Sequence, residues 1–133
     1  MIKRVLYPSS HWASNIGNPF FNLGAKYLIE QCLPGVEVIQ TDLHAGKCFA
    51  LKEKHLSNSF NYTQYFSDID AIVLAGPLFD KNFEILFGDI LKQAKESNIK
   101  VIFLTAGGIE YSAEEVAFCR AILKKYPPFI LTT

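Results

Sequence analysis

Hydrophobic positions along this chain alternate between two spacings, short continuous runs and stripes three to four residues apart. The first run, around Val5-Leu6-Tyr7, predicts a strand over Lys3 to Pro8. Helical spacing follows from Pro19 to Leu33, with Phe20, Leu23, Gly24, Tyr27, Leu28 and Cys32 as the expected inward stripe. Asn18 is the expected cap of that helix and Pro19 its first residue. Leu33-Pro34-Gly35 ends it, and Val36 to Thr41 reads as a second strand. Asp42 to Ser67 is the least regular stretch, with room for a short helix among Asn58, Asn61, Tyr62, Tyr65 and Phe66.

Beyond it, Ala71-Ile72-Val73-Leu74-Ala75 is apolar throughout, as in a strand buried on both faces of a parallel sheet. Gly76-Pro77 breaks the strand, and Asp80 is the expected cap of a helix with the stripe Phe83, Leu86, Phe87, Ile90, Leu91 and Ala94. A fourth strand is predicted from Lys100 to Thr105, followed by Ala106-Gly107-Gly108. Ser112 and Glu115 have the spacing of a capping box, opening a helix with Val116, Cys119, Ile122, Leu123 and Tyr126 inward. Pro127-Pro128 stops that helix ahead of a fifth strand, Phe129 to Thr133.

Strands alternating with helices predict an α/β fold: a Rossmann-like three-layer α/β/α domain with a five-stranded parallel sheet. The simplest order is 2-1-3-4-5, with the first strand inside. Residues 1–133 read as one domain without internal repeats or linkers. The sequence stops after its last strand with no closing helix, so a piece of something longer is expected.

Composition narrows the partners. Half of the 133 residues are hydrophobic, and 13 basic residues balance 13 acidic ones without a block of like charge. Nucleic-acid binding through a basic face is not expected. No apolar run is long enough to span a bilayer, and the opening residues have no signal-peptide pattern, so a cytoplasmic location is expected. Cys32, Cys48 and Cys119 are odd in number and widely spaced, and are expected as reduced thiols, with Cys32 and Cys119 on buried helix faces. His44, Cys48 and His55 lack the tight spacing of a zinc site, so no metal is expected.

In open α/β sheets ligands bind beyond the carboxyl ends of the strands. That rim gathers Ser9, Ser10, His11, Asn15, Gly17 and Asn18 after the first strand, Gly76, Pro77, Leu78 and Asp80 after the third, and Thr105, Gly107 and Gly108 after the fourth. Of these, Ser9, His11, Asn15, Gly17, Asn18, Gly76, Asp80, Gly107 and Gly108 are the candidate binding residues, for a saccharide or a small anion. A helix start beside a small-residue loop suits such a ligand. Each also has an ordinary reading: Asn15 and Asn18 as turn and cap residues, the glycines as turn formers, His11 as a solvated side chain. Their shared rim is the stronger signal. Trp12 beside His11 offers a sugar-stacking surface or a plug over the loop. No residue is assigned a catalytic role.

Familiar motifs are missing. The chain has no Gly-x-Gly-x-x-Gly after its first strand, no P-loop and no Gly-x-Ser-x-Gly elbow. Tyr7-Pro8-Ser9-Ser10 stands where a receiver domain places its acidic residues. What is present, Ser14-Asn15-Ile16-Gly17-Asn18, Asp70-Ala71-Ile72-Val73-Leu74-Ala75-Gly76, Ile90-Leu91-Lys92-Gln93-Ala94-Lys95 and Val101-Ile102-Phe103-Leu104-Thr105-Ala106-Gly107-Gly108, resembles the N-terminal half of the polysaccharide pyruvyl transferase family. Ile130-Leu131-Thr132-Thr133 is similar to the strand that leads, in that family, into an Arg-Asp pair.

The resemblance implies one lobe of a glycosyltransferase-B-like pair of Rossmann-type domains. It also implies transfer of a pyruvyl group from phosphoenolpyruvate, the donor substrate, to a pair of sugar hydroxyls, with no other cofactor. The family's Arg and His residues for the donor lie mainly in its C-terminal half. The chain is therefore expected to be the N-terminal, acceptor-side lobe, inactive alone, with a C-terminal domain or a second copy as partner. Two residues depart from the pattern: Asn18 stands for Asp, removing a charge, and Pro77 stands for Gly, stiffening a loop. The rival readings are a stand-alone α/β binding or scaffold domain and a small enzyme working from His11 and Asp80, which lacks a visible nucleophile.

Overall fold

The computed structural model describes residues 1–9, 17–42, 63–108 and 110–133. Nine elements run in the order β1 (Arg4–Ser9), α1 (Gly17–Cys32), β2 (Glu37–Asp42), α2 (Thr63–Phe66), β3 (Ala71–Ala75), α3 (Phe83–Glu96), β4 (Lys100–Leu104), α4 (Ala113–Lys125) and β5 (Ile130–Leu131). The strands form one sheet in the order β2-β1-β3-β4-β5, and every pairing is parallel. This is the three-layer α/β fold expected from the alternation of runs and stripes, with β1 inside the sheet.

Strand residues alternate between two cores. Leu6, Ile72, Leu74 and Phe103 point to one face, where α2, α3 and α4 add Phe66, Phe83, Phe87, Ile90, Leu91, Ala94 and Ile122. Val5, Tyr7, Ala71, Val73 and Ile102 point to the other, where α1 adds Ala25 and Ile29. The first core is aromatic at its centre, with the Phe83 ring edge-on to Phe103 (centroids 6.2 Å apart) and tilted against Phe87 (5.2 Å). Just ahead of β3, the Asp70 Oδ2 accepts from the backbone N–H groups of Lys3 (2.7 Å) and Arg4 (3.0 Å), tying the start of β1 to β3. Those two hydrogen bonds hold the Asp70 carboxyl below its ordinary pKa.

The stripe of α3 is the predicted one: Phe83, Phe87, Ile90, Leu91 and Ala94 are buried, and Leu86 packs at the edge of the same core. The stripe of α1 is the reverse of the predicted one. Asn22, Ala25 and Ile29 face the sheet, while Phe20, Leu23, Tyr27 and Leu28 are exposed, and Gly24 and Cys32 are exposed with them. The cause lies in β1. Tyr7 projects its ring and hydroxyl under the helix, and its phenol requires a buried acceptor, which Asn22 supplies. Small Ala25 joins Ala71 and Val73 in the same core.

Smaller corrections follow from where the sheet ends. Helix α1 begins at Gly17, two residues early, so Asn18 lies within its first turn and Pro19 stands where no N–H is owed to the helix. Of the stretch from Asp42 to Ser67, Asp42 belongs to β2, and the other described residues are the single turn α2 and Ser67 after it. In α4, Ile122 is buried, Cys119 is half-buried, and Val116, expected inward, is 40% exposed, because β5 at the sheet edge is only two residues long and both are exposed. Cys48, His44 and His55 lie outside the described residues.

Candidate functional site

The carboxyl ends of the five strands form the rim that the fold offers to a ligand, and its foundations are hydrogen-bonded in detail. The Tyr7 hydroxyl donates to the Asn22 Oδ1 (3.1 Å) with both residues fully buried. Burial pushes the Tyr7 phenol up to about 12, so it stays a neutral donor at any physiological pH. This bond fixes the first half of α1 to β1. Two residues further, Ser9 is buried at the end of β1. Its Oγ accepts from Gln40 Nε2 (3.1 Å) and donates to the Thr41 carbonyl (3.2 Å), locking β1 to β2 at the rim. The adjacent Thr41 hydroxyl is buried without a hydrogen-bond partner among the described residues.

The ends of β3, β4 and β5 are stitched together by main-chain bonds. Gly76 N–H donates to the Leu104 carbonyl (3.2 Å), Gly107 N–H to the Gly76 carbonyl (3.3 Å) and Phe79 N–H to the Gly107 carbonyl (3.1 Å). Ala106 N–H donates to the Thr132 carbonyl (2.8 Å), and Thr105 N–H to the Thr132 hydroxyl (2.7 Å). Gly76 is required as glycine twice over. Its φ is +105°, and a Cβ there would stand 2.8 Å from the Phe21 ring, which rests on it from the first turn of α1. Thr105 holds φ +49°, an uncommon conformation for a β-branched residue, stabilised by the Thr132 hydroxyl.

Between the loops after β3 and β4 lies a groove of about 590 Å³, lined by Asp80, Lys81, Glu110, Ser112, Glu114, Glu115 and Phe118. Four carboxylates against one ammonium make it acidic. Two of the four are partly committed. Asp80 does not cap α3: its Oδ1 accepts from the Asn82 N–H (2.8 Å) in a turn, and Asn82 is the residue before the helix. Glu115 accepts from the N–H groups of Glu110 and Tyr111, while its own N–H donates to the Ser112 Oγ (3.2 Å), the forward half of the expected capping box. A Cβ at Gly108 would run into the Glu115 carboxylate. Glu110 and Glu114 are exposed.

The structure thus brings Ser9, Gly17, Gly76, Asp80, Gly107 and Gly108 to one rim. The Asn18 side chain, and His11 and Asn15 entirely, lie outside the described residues. Gly76 and Gly107 turn their peptide groups to each other, which makes them braces of the rim. The Tyr7–Asn22 pair, the Ser9–Gln40–Thr41 cluster and the Thr105–Thr132 bond were not anticipated. One signal was available: a phenol within an apolar strand needs a partner, and Asn22 is a polar residue near the start of the following helix. Strand register, which brings Gln40 and Thr41 alongside Ser9, has no such signal.

The opposite rim differs in charge. There a hollow of about 360 Å³ between the last turns of α3 and α4 is lined by Lys95, Lys100 and Lys125 among apolar side chains such as Leu91, Val101 and Phe129. Lys125 is bound to Glu84 (2.7 Å), and Lys100 stands over the Phe129 ring (4.8 Å to its centroid). Among the described residues no cluster of His, Cys, Asp and Glu is placed to hold a metal ion, and no helix is long and apolar enough to cross a membrane. Comparison with known protein families, characterised proteins and solved structures finds no match.

Proposed function

We propose that this chain is the acceptor-side lobe of a polysaccharide pyruvyl transferase-like protein and that its carboxyl-end rim receives a saccharide. The observation that carries the reading is the acidic groove between the Asp80 and Glu110–Glu115 loops, on the same rim as Ser9 and the start of α1. Carboxylates accept hydrogen bonds and never donate them when ionised, so they suit the hydroxyls of a neutral sugar and repel a phosphate or carboxylate. A neutral acceptor belongs here, and phosphoenolpyruvate is assigned to the half of the family fold that carries its donor residues. Phe118 gives the groove an apolar wall against which a sugar ring can pack.

Titration calorimetry with neutral oligosaccharides, sugar phosphates and phosphoenolpyruvate tests this reading. Neutral glycans should bind with roughly millimolar affinity, Glu114→Lys should weaken them, and phosphate release from phosphoenolpyruvate should stay at the no-protein control. Preference for the anions, or steady phosphate release, would overturn it. A stand-alone binding domain is the second reading, favoured by the main-chain bonds from Gly107 N–H to the Gly76 carbonyl and from Gly76 N–H to the Leu104 carbonyl, which make that part of the rim a brace. Binding of non-carbohydrate ligands with no response to any glycan would decide for it.

A further inference from the structure

Helix α1 presents its bulkiest apolar side chains away from its own core. Phe20 is 73% exposed, Tyr27 60%, Leu23 56% and Leu28 41%. At 100° per residue, Phe20, Gly24 and Tyr27 lie on the line opposite the buried Asn22, Ala25 and Ile29, with Leu23 and Leu28 on its two shoulders. The only charged residues in the helix, Lys26 and Glu30, are i,i+4 partners 3.8 Å apart at the edge of this surface. With aromatic side chains covering roughly 150–250 Å² each, the four expose on the order of 450 Å². That matches the largest apolar patch on a typical monomer, about 300–600 Å², and such patches often mark contact sites.

The direction of the patch limits what can cover it. Another helix on the same face of the sheet would lie beside α1, some 8–10 Å away, and meet only one shoulder. The line through Phe20, Gly24 and Tyr27 points straight out of the layer, so its occupant must stack on the domain from outside. We infer that the occupant is a second copy of this chain, with α1 packed on α1 across a two-fold axis.

Three observations favour a copy over a different protein. A standard interface buries about 800 Å² per partner, and on the order of 450 Å² of apolar surface supplies more than half of that area for a symmetric dimer. The patch carries no net charge that would select an oppositely charged partner, and the chain as a whole is neutral, so two copies do not repel. Gly24 leaves a notch at the centre, where an added Cβ would meet nothing within 4 Å. A two-fold axis through that notch lets each helix receive a ring of the other, as a self-complementary interface requires.

Sedimentation of the whole chain tests the inference. The expected result is a reversible dimer that predominates by about 50 µM. Tyr27→Glu, which places a charge in the interface, should raise the dissociation constant by about a hundredfold or more while a single cooperative melt remains. Gly24→Leu is the second variant, because the monomer has open space for the side chain and the helix gains propensity, so only the dimer should suffer. A chain that stays monomeric at several hundred micromolar would overturn the inference and pass the patch to a different protein or domain. So would a dimer that both folded variants leave intact.

Discussion

The two faces of the sheet are made by alternate residues of the same strands, yet they close in different ways. On the Leu6–Ile72–Leu74–Phe103 face, the apolar stripe of α3 meets an apolar sheet, and the helix shows solvent its polar side. On the Val5–Tyr7–Val73 face, α1 meets the sheet with Asn22, Ala25 and Ile29 and turns its aromatic residues outward. A stripe reports that a helix has an apolar surface to cover. It identifies the covering body only when the helix has a single neighbour to satisfy.

The largest expected effect lies in the first core. Phe103→Ala removes a fully buried ring that meets both Phe79 and Phe83 and should cost about 3–5 kcal/mol in urea unfolding. Phe20→Ala on the outer side of α1, measured at a concentration low enough to avoid association, should change stability by less than about 0.5 kcal/mol. Equal losses at the two positions would contradict the inverted orientation of α1.

Next comes the polar contact that sets that orientation. Asn22→Leu strands the Tyr7 hydroxyl in an apolar site and should cost about 1–3 kcal/mol, whereas pairing it with Tyr7→Phe should recover most of the loss. The same residue makes a pH prediction. With the Tyr7 phenol raised to about 12 from an ordinary 10.0, its contribution to stability is complete below pH 10 and is lost as pH climbs through 12, since the unfolded chain releases the proton first. Tyr7→Phe should flatten that alkaline decline. Gly76→Ala belongs in the same range: its left-handed backbone should cost roughly 1–3 kcal/mol, with extra loss from the Phe21 ring that Phe21→Ala relieves.

A smaller effect is expected at Asp70, whose carboxylate accepts two main-chain hydrogen bonds at the start of β1. Its pKa is lowered in the fold, so its contribution is present above the ordinary 3.8 and lost as pH falls below that value. Acid unfolding of Asp70→Asn should therefore show a weaker pH dependence than that of the natural chain.

Much of the architecture was legible because local signals and packing agree. Ala71–Ala75 and Val101–Leu104 are continuous apolar runs, and their central residues are buried on both faces of the sheet. Ser112 reads as a cap and is one. Helix α1 misled because the buried Asn22 is polar and the exposed Phe20 and Tyr27 are not, so burial there follows the needs of one phenol on β1. Asp80 misled in a milder way: its side chain makes a turn two residues before the helix instead of its cap. The rim was readable as a location, since strand ends follow from strand positions. Its acidic character was not, because the groove joins two loops far apart in sequence, one at Asp80 and the other from Glu110 to Glu115.

Amide chemical-shift mapping on the natural chain tests the saccharide site most directly, with a neutral oligosaccharide and phosphoenolpyruvate added in separate series. The account predicts that the neutral glycan shifts the amides of Gly17, Gly107, Glu110 and Glu114 together. Gly17→Val should weaken the response at its own end of the rim while the fold is kept. Phosphoenolpyruvate should leave those signals in place. Shifts confined to the opposite rim near Val36 and Lys100, or no response of the carboxyl-end rim to any glycan at saturation, would contradict the account.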